Sequence, residues 1–173
     1  LSYAFPEVRA FKLGILREAA ERDIDGINLD FLRHPPCFGY EEPLIAAFKA
    51  KHGQDAREIA ADDPRWLQLR ADIMTGFLRD VRKLLNEAGA EKRRHLGLSA
   101  RVDWKEYKTW GCDIDTWLKE GLLDYLVIAL SPDYEWTAIG VPSGKYLWIM
   151  ARSHRLSDER MAEVIRELDR IGY

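Results

Sequence analysis

Apolar and polar positions alternate along Asp23-Ile24-Asp25-Gly26-Ile27-Asn28-Leu29-Asp30-Phe31-Leu32-Arg33-His34-Pro35-Pro36. From Gly26 onward, Ile27, Leu29 and Phe31 take one set of positions, and Gly26, Asn28 and Asp30 take the other. Side chains on a strand point to opposite faces at period two, so Asn28 and Asp30 share a face about 6.6 Å apart. The pattern predicts a strand over Ile24–Leu32 with a polar tip. The Pro35-Pro36 pair ends it, because proline cannot donate to a sheet ladder. An acid at the end of so apolar a strand is costly to bury alone. Asp30 is therefore either a site residue at a carboxyl-terminal strand end or a loop cap paired with Arg33.

The alternation recurs. Over His95–Val102, Gly97, Ser99 and Arg101 share one face, and Leu96, Leu98, Ala100 and Val102 share the other. Leu122–Leu130 is apolar except for Asp124 and Tyr125, which predicts a strand covered on both faces. It runs into Ser131-Pro132-Asp133-Tyr134-Glu135-Trp136, read as an acidic and aromatic loop. Tyr146–Ala151 is the fourth predicted strand, ending in Arg152, Ser153 and His154.

Helical periodicity fills the intervals. Phe5-Pro6-Glu7 opens a first helix with Val8, Phe11, Ile15, Leu16 and Ala19 on its buried face. Leu44, Ile45, Ala47 and Phe48 predict a short helix ending before Gly53. Asp62-Asp63-Pro64 starts a long one, striped by Trp66, Leu69, Ile73, Phe77, Val81, Leu84 and Leu85 and closed by Gly89. Asp113 or Asp115 caps a short helix through Trp117 that Gly121 terminates. Ser157 caps the last, with Met161, Val164, Ile165, Leu168 and Ile171 inward. Trp66 and Trp117 are read as core. Trp110 is read as packing or as part of an aromatic loop with Trp104 and Tyr107. Asp25 and Asp124 sit at strand beginnings and are read as structural, and His52 and His95 as surface groups.

The expected fold class is therefore α/β, with parallel βα repeats and about four strands. Four strands cannot close an eight-stranded barrel, so the chain is a small open sheet or part of a TIM (β/α)8 barrel. No glycine-rich phosphate loop follows any strand, which argues against nucleotide binding.

Composition narrows this further. The 173 residues are 47% apolar and 32% charged, as expected of a folded chain rather than a disordered one. A net charge of -3 without a basic block argues against a nucleic-acid partner. No apolar run is long enough for a membrane span. Cys37 and Cys112 make neither a disulfide framework nor a metal spacing, and whether they pair is open. No metal and no cofactor are predicted. The chain begins at Leu1 without an initiator Met and stops just after a helix. Residues 1–173 are thus expected to be a single domain, cut at both ends.

Several segments together resemble a known family. They are Ile15-Leu16-Arg17-Glu18, Asp25-Gly26-Ile27-Asn28-Leu29-Asp30-Phe31, Leu98-Ser99-Ala100-Arg101-Val102, and Gly111-Cys112-Asp113-Ile114-Asp115-Thr116-Trp117 running into Glu120-Gly121-Leu122-Leu123-Asp124-Tyr125. In this order and spacing they look like the bacterial glycosyl-hydrolase-like (β/α)8 barrels, described as family-10-like. The resemblance implies that the chain holds roughly the fourth to seventh strands of such a barrel. The remainder of the barrel would come from segments outside it. It implies a carbohydrate partner and a secreted or periplasmic location. The family's typical Asp-Asp pair is Asp30-Phe31 here, which leaves one acid.

Glycoside cleavage needs two carboxyl groups flanking the bond, one of them a proton donor with a raised pKa. Asp30 is the first candidate. Asp133 is preferred as the second, ahead of Glu135 and Asp103, although Asp133 after Ser131-Pro132 reads equally well as a turn residue. Arg101 and Arg33 are expected to keep Asp30 ionised. Asn28, His34, Asp103 and Glu135 would line the substrate, and Trp104, Tyr134 and Trp136 would stack on sugar rings. The expected function is cleavage of O-glycosidic bonds in a polysaccharide or cell-wall glycan. The alternatives are a carbohydrate-binding barrel without catalysis, or a complete small α/β domain with an unrelated role.

Overall fold

The computed structural model describes residues 2–31, 37–102, 107–131, 133, 135–140 and 146–171. The elements are α1 (Pro6–Glu21), β1 (Gly26–Asp30), α2 (Glu42–His52), a single 3-10 turn (Ala56–Glu58), α3 (Pro64–Glu91), β2 (Gly97–Arg101), α4 (Ile114–Lys119), β3 (Tyr125–Leu130), β4 (Trp136–Gly140), β5 (Leu147–Ala151) and α5 (Asp158–Ile171). One five-stranded sheet runs in sequence order from β1 to β5. β1, β2 and β3 are parallel. β4 is antiparallel to both β3 and β5.

The mixed α/β class and the four expected strands are present, but the sheet is not wholly parallel. The unexpected strand is β4, which begins at Trp136, the last residue of the stretch read as a loop, and runs on through residues that no predicted element covers. A closed turn makes it. Ser131 N donates to the Trp136 carbonyl at 3.0 Å, and the Ser131 hydroxyl accepts from Trp136 N at 3.0 Å. A connection this short can only fold the chain back on itself, because a parallel neighbour needs a crossover of a dozen residues or more.

The sheet has a covered face and an open one. Leu29, Phe31, Leu98, Ala100, Val102, Leu126, Ile128, Trp136 and Ala138 are buried in one core with α2–α5 side chains that include Phe48, Trp66, Phe77, Leu78, Leu85, Trp117, Val164 and Leu168. The alternate residues face the other way and stay half-exposed or exposed. The expectation that β3 is covered on both faces is thus corrected. Tyr125 is 49% exposed, because no described element lies over that side.

Close packing requires glycine at two points. A Cβ on Gly26 would stand 2.4 Å from the Gly97 carbonyl oxygen, its register partner on β2. A Cβ on Gly89 would stand 2.5 Å from the Arg94 carbonyl oxygen. Gly89 therefore does not close α3, as its position suggested. The helix runs on to Glu91 and turns at Arg93, whose φ is 55°.

Two predicted helix faces also differ. In α1, Leu16 packs inward as expected, joined by Leu13 and Ala20, but Phe11 and Ile15 are exposed. In α5, Val164 and Leu168 are buried but Ile165 is exposed. Trp66 and Trp117 are core, as expected, and Trp110 packs against that core. The Trp117 indole N–H donates to Thr75 Oγ1 at 2.9 Å. His52 is half-buried and lies 4.6 Å from the Phe48 ring, whereas His95 is on the surface.

Cys37 and Cys112 are both buried and unbonded. Burial pushes the Cys37 thiol up to about 11. Burial also raises Cys112, with nearby Cys37 adding to the effect. No helix among the described residues is long and apolar enough to cross a membrane.

Candidate active site on the open sheet face

The strand alternation brings polar pairs into register. Asn28 stands opposite Ser99, and Asp30 opposite Arg101. The Asn28 side-chain amide donates to Ser99 Oγ at 2.8 Å. Arg101 Nη1 donates to Asp30 Oδ2 at 3.2 Å. Both pairs lie on the open face, and the second lies at the carboxyl ends of β1 and β2. A strand run of this kind presents alternate side chains at a common level, and parallel α/β sheets place their sites at that end. The Asp30 side chain is 33% exposed and that of Arg101 only 16%. The cation is thus partly screened from water while the carboxylate still meets solvent.

The same rows continue across the sheet. Ser99 faces Tyr125, Arg101 faces Val127, Val127 faces Ile139, and Ile139 faces Trp148. A cleft of about 350 Å³ opens here, lined by Ser99, Tyr125, Val127, Ile139, Trp148 and Met150. The face is therefore polar over β1 and β2, and apolar and aromatic over β3 to β5.

The other candidates lie elsewhere. Asp133 is in the turn between β3 and β4, where it accepts from Glu135 N at 3.3 Å and from Arg160 Nη2 of α5 at 2.5 Å. The Ser131 hydroxyl, and after it the Glu135 amide and Arg160, hold its carboxyl below the usual range. That suits an anion and not a proton donor. Glu135 is exposed beside it. Trp136 corrects the sequence expectation. It is 2% exposed with its indole nitrogen buried and unpartnered among the described residues, so it presents no face on which a sugar could stack. Arg33, His34, Asp103, Trp104 and Tyr134 lie outside the described residues.

Sequence reasoning did not place Trp148 on this face. The signal was available. Tyr146, Trp148 and Met150 alternate along the last strand, so placing that strand in the sheet sets all three on the Asp30 face. Asp124, read as structural, is so. It accepts from Leu98 N at 2.7 Å and from Arg82 at 2.9 Å, and it pairs with His95 at 2.9 Å. These contacts tie the beginnings of β2 and β3 to α3.

Among curated proteins, the chain is similar to temperature-induced lipocalin-1 of Arabidopsis thaliana, 36% identical over 50 residues. That match spans 29% of this chain and 27% of the relative, too little of either to carry a function. The family model Glycosyl hydrolase-like 10 matches residues 1–160. The match takes in every strand of the sheet and the start of α5, and the chain belongs to the glycosyl hydrolase-like 10 family.

Proposed function

We propose that this chain is the central part of a glycoside hydrolase-like (β/α)8 barrel acting on O-glycosidic bonds of a glycan, with Asp30 as an essential carboxylate. The observation that carries the reading is Asp30 itself. It stands at the carboxyl end of β1, on the face turned away from the helices, with Arg101 donating to it. Family membership supports the carbohydrate class. The parallel β1–β2–β3 run, with helices on one side only, supports the barrel segment. In this reading the open face turns toward the barrel axis, and β4 is a hairpin strand added to the parallel pattern.

Asn28, Ser99 and Arg101 orient sugar hydroxyls beside Asp30. Asp133 and Glu135 are the acids offered by the β3–β4 turn. Because Asp133 is held ionised, its part is that of base or charge stabiliser, and the proton donor is another group.

The test is Asp30→Asn in the full chain, scored by release of reducing ends from soluble glycans. Hydrolysis should fall by at least about a hundredfold, with glycan binding retained. Undiminished hydrolysis would remove Asp30 from the chemistry. A second reading, sugar binding without cleavage, is favoured by the Arg160 pairing of Asp133 and by Phe31 following Asp30. Binding with no hydrolysis in the unaltered chain would select it.

A further inference from the structure

A second cleft lies on the helix side of the sheet. It holds about 330 Å³ between the first two turns of α3 and the segment that leaves β2. Pro64, Leu67, Gln68 and Ala71 form one wall, and Lys108, Cys112, Asp113 and Asp115 form the other. α3 is 28 residues long, and a short link joins its last turn to the beginning of β2. At 1.5 Å per residue the helix spans about 42 Å, beside strands of about 17 Å. Its first turns therefore reach past the carboxyl ends of the strands, the end at which Asp30 lies. Both walls belong to consecutive βα units in the middle of the sheet, so this chain's own elements bound the cleft.

The walls are fixed from behind. Arg70 is buried, with its guanidinium 4.6 Å from the Trp66 ring and Nη1 donating to the Thr109 carbonyl at 3.5 Å. Gly111 lets the opposite wall close in. Its φ is 77°, and a Cβ there would stand 2.9 Å from the Phe38 ring and 3.1 Å from Arg70 Cβ. Cys112 N donates to the Tyr107 carbonyl at 2.8 Å and closes the turn. The cleft is thus built into the fold, and its volume is that of a small-ligand site.

Its polar groups select the ligand. Asp113 is spent on α4, accepting from Thr116 N at 3.1 Å and from Thr116 Oγ1 at 2.6 Å. Gln68 gives its amide N–H to Asp72 at 2.8 Å, which leaves its carbonyl oxygen as an acceptor. Lys108 Nζ and Asp115 Oδ2 face each other at 3.9 Å, with side chains 69% and 75% exposed. That is too far for a hydrogen bond, and so open an ion pair adds little to stability. A hydroxyl fits between the two, because it donates to the carboxylate and accepts from the ammonium at once. An anion would satisfy Lys108 alone and meet two aspartates. An ammonium would meet the like charge of Lys108. Pro64, Leu67 and Ala71 offer an apolar surface to a C–H face. Hydroxyls on an apolar ring, without charge, are the chemistry of a neutral sugar.

We propose that this cleft is a second glycan site, in which Lys108, Asp115 and Gln68 hold one uncharged sugar unit over Pro64, Leu67 and Ala71. It lies on the other side of the sheet from Asp30 and takes no part in bond cleavage. The proposal rests on the glycan reading above and adds a site, its residues and the charge of the unit it takes.

The experiment is an NMR titration of the isotope-labelled full chain, carrying Asp30→Asn so that the glycan stays intact. The probes are cellohexaose, xylohexaose, mannohexaose, hexagalacturonate and the hexamer of glucosamine. The signals followed are the Gln68 side-chain amide and the Thr116 backbone amide. At least one neutral hexasaccharide should shift both, and neither charged hexamer should do so at the same concentration. Lys108→Ala combined with Asp115→Ala should weaken that binding roughly tenfold. Ala71→Trp, which fills the cleft, should abolish it. Circular dichroism checks that the variants fold, and Lys108 and Asp115 are exposed enough to be exchanged freely. Shifts unchanged in the double variant, shifts produced by a charged hexamer instead, or shifts at Asn28 and Ser99 with none at Gln68 or Thr116 would each overturn the cleft while leaving Asp30 untouched. If Asp30→Asn hydrolyses as fast as the unaltered chain but the Gln68 shift still depends on Lys108 and Asp115, the cleft stands and Asp30 leaves the chemistry. No shift with any glycan would overturn both readings.

Discussion

Asp124 shows how far one side chain's surroundings decide its role. Burial pushes its carboxyl up, but the Leu98 amide, His95 and Arg82 outweigh that effect, and the group titrates below the usual range. Its partner Arg82 is 8% exposed and also donates to the Leu96 carbonyl at 2.6 Å. Asp124→Asn leaves that buried cation without its countercharge. The expected cost is about 2 kcal/mol, read from urea unfolding at pH 7. The pH dependence has a definite sign. A folded-state pKa below the unfolded one gives stabilisation that is complete above about 3.9 and lost as pH falls through the folded value. The gap between wild type and Asp124→Asn should therefore narrow on acidification below pH 4. A gap that widens would mean the carboxyl is not favoured as an anion. Asp30 pairs with Arg101 and lies at the opposite strand end, toward solvent. The difference between a structural and a candidate catalytic aspartate here is which end of the strand each occupies.

At the scale of elements, the helices offer a direct contrast. Gly14 of α1 has open space where a Cβ would go, whereas Gly89 of α3 faces the Arg94 carbonyl. Alanine is the better helix former by about 1 kcal/mol. Gly14→Ala should therefore raise stability by roughly 0.5–1 kcal/mol. Gly89→Ala should lower it by about 1–3 kcal/mol, because the clash exceeds the propensity gain. Paired thermal melts check both signs. The same contrast explains what the sequence disclosed. Period-two alternation over Asn28–Asp30 and Ser99–Arg101 is unambiguous, so both polar pairs were legible before their contacts were known. α1 carries a broad apolar arc, and periodicity alone cannot say whether Leu16 faces inward with Phe11 and Ile15 or with Leu13 and Ala20; packing against the rest of the fold decides. β4 is five residues long and follows a turn motif, so its sequence gives no strand signal until Ser131 closes the hairpin. Trp136 was misjudged with it, because a tryptophan in a loop and one on an inward strand position look alike in sequence.

For the whole molecule, the division into covered and open faces organises everything else. The strands predict that one face is apolar. Only their register shows that the other changes from polar to aromatic across β1 to β5, and hence that Asp30 and Trp148 lie in one row. The buried thiols have a consequence at this scale. Cys37 lies in the segment after β1 and Cys112 in the one after β2, both inside the core. With their ionisation opposed by burial, neither offers a nucleophilic thiolate at neutral pH. Ellman's reagent should leave the native protein uncoloured and titrate both sulfurs once guanidinium is added; immediate colour without denaturant would contradict their burial. The rate at which colour develops under native conditions then times how often the segments leaving β1 and β2 part company. The chain thus carries a built-in stopwatch for the opening of its core at these two segments, with no label to attach.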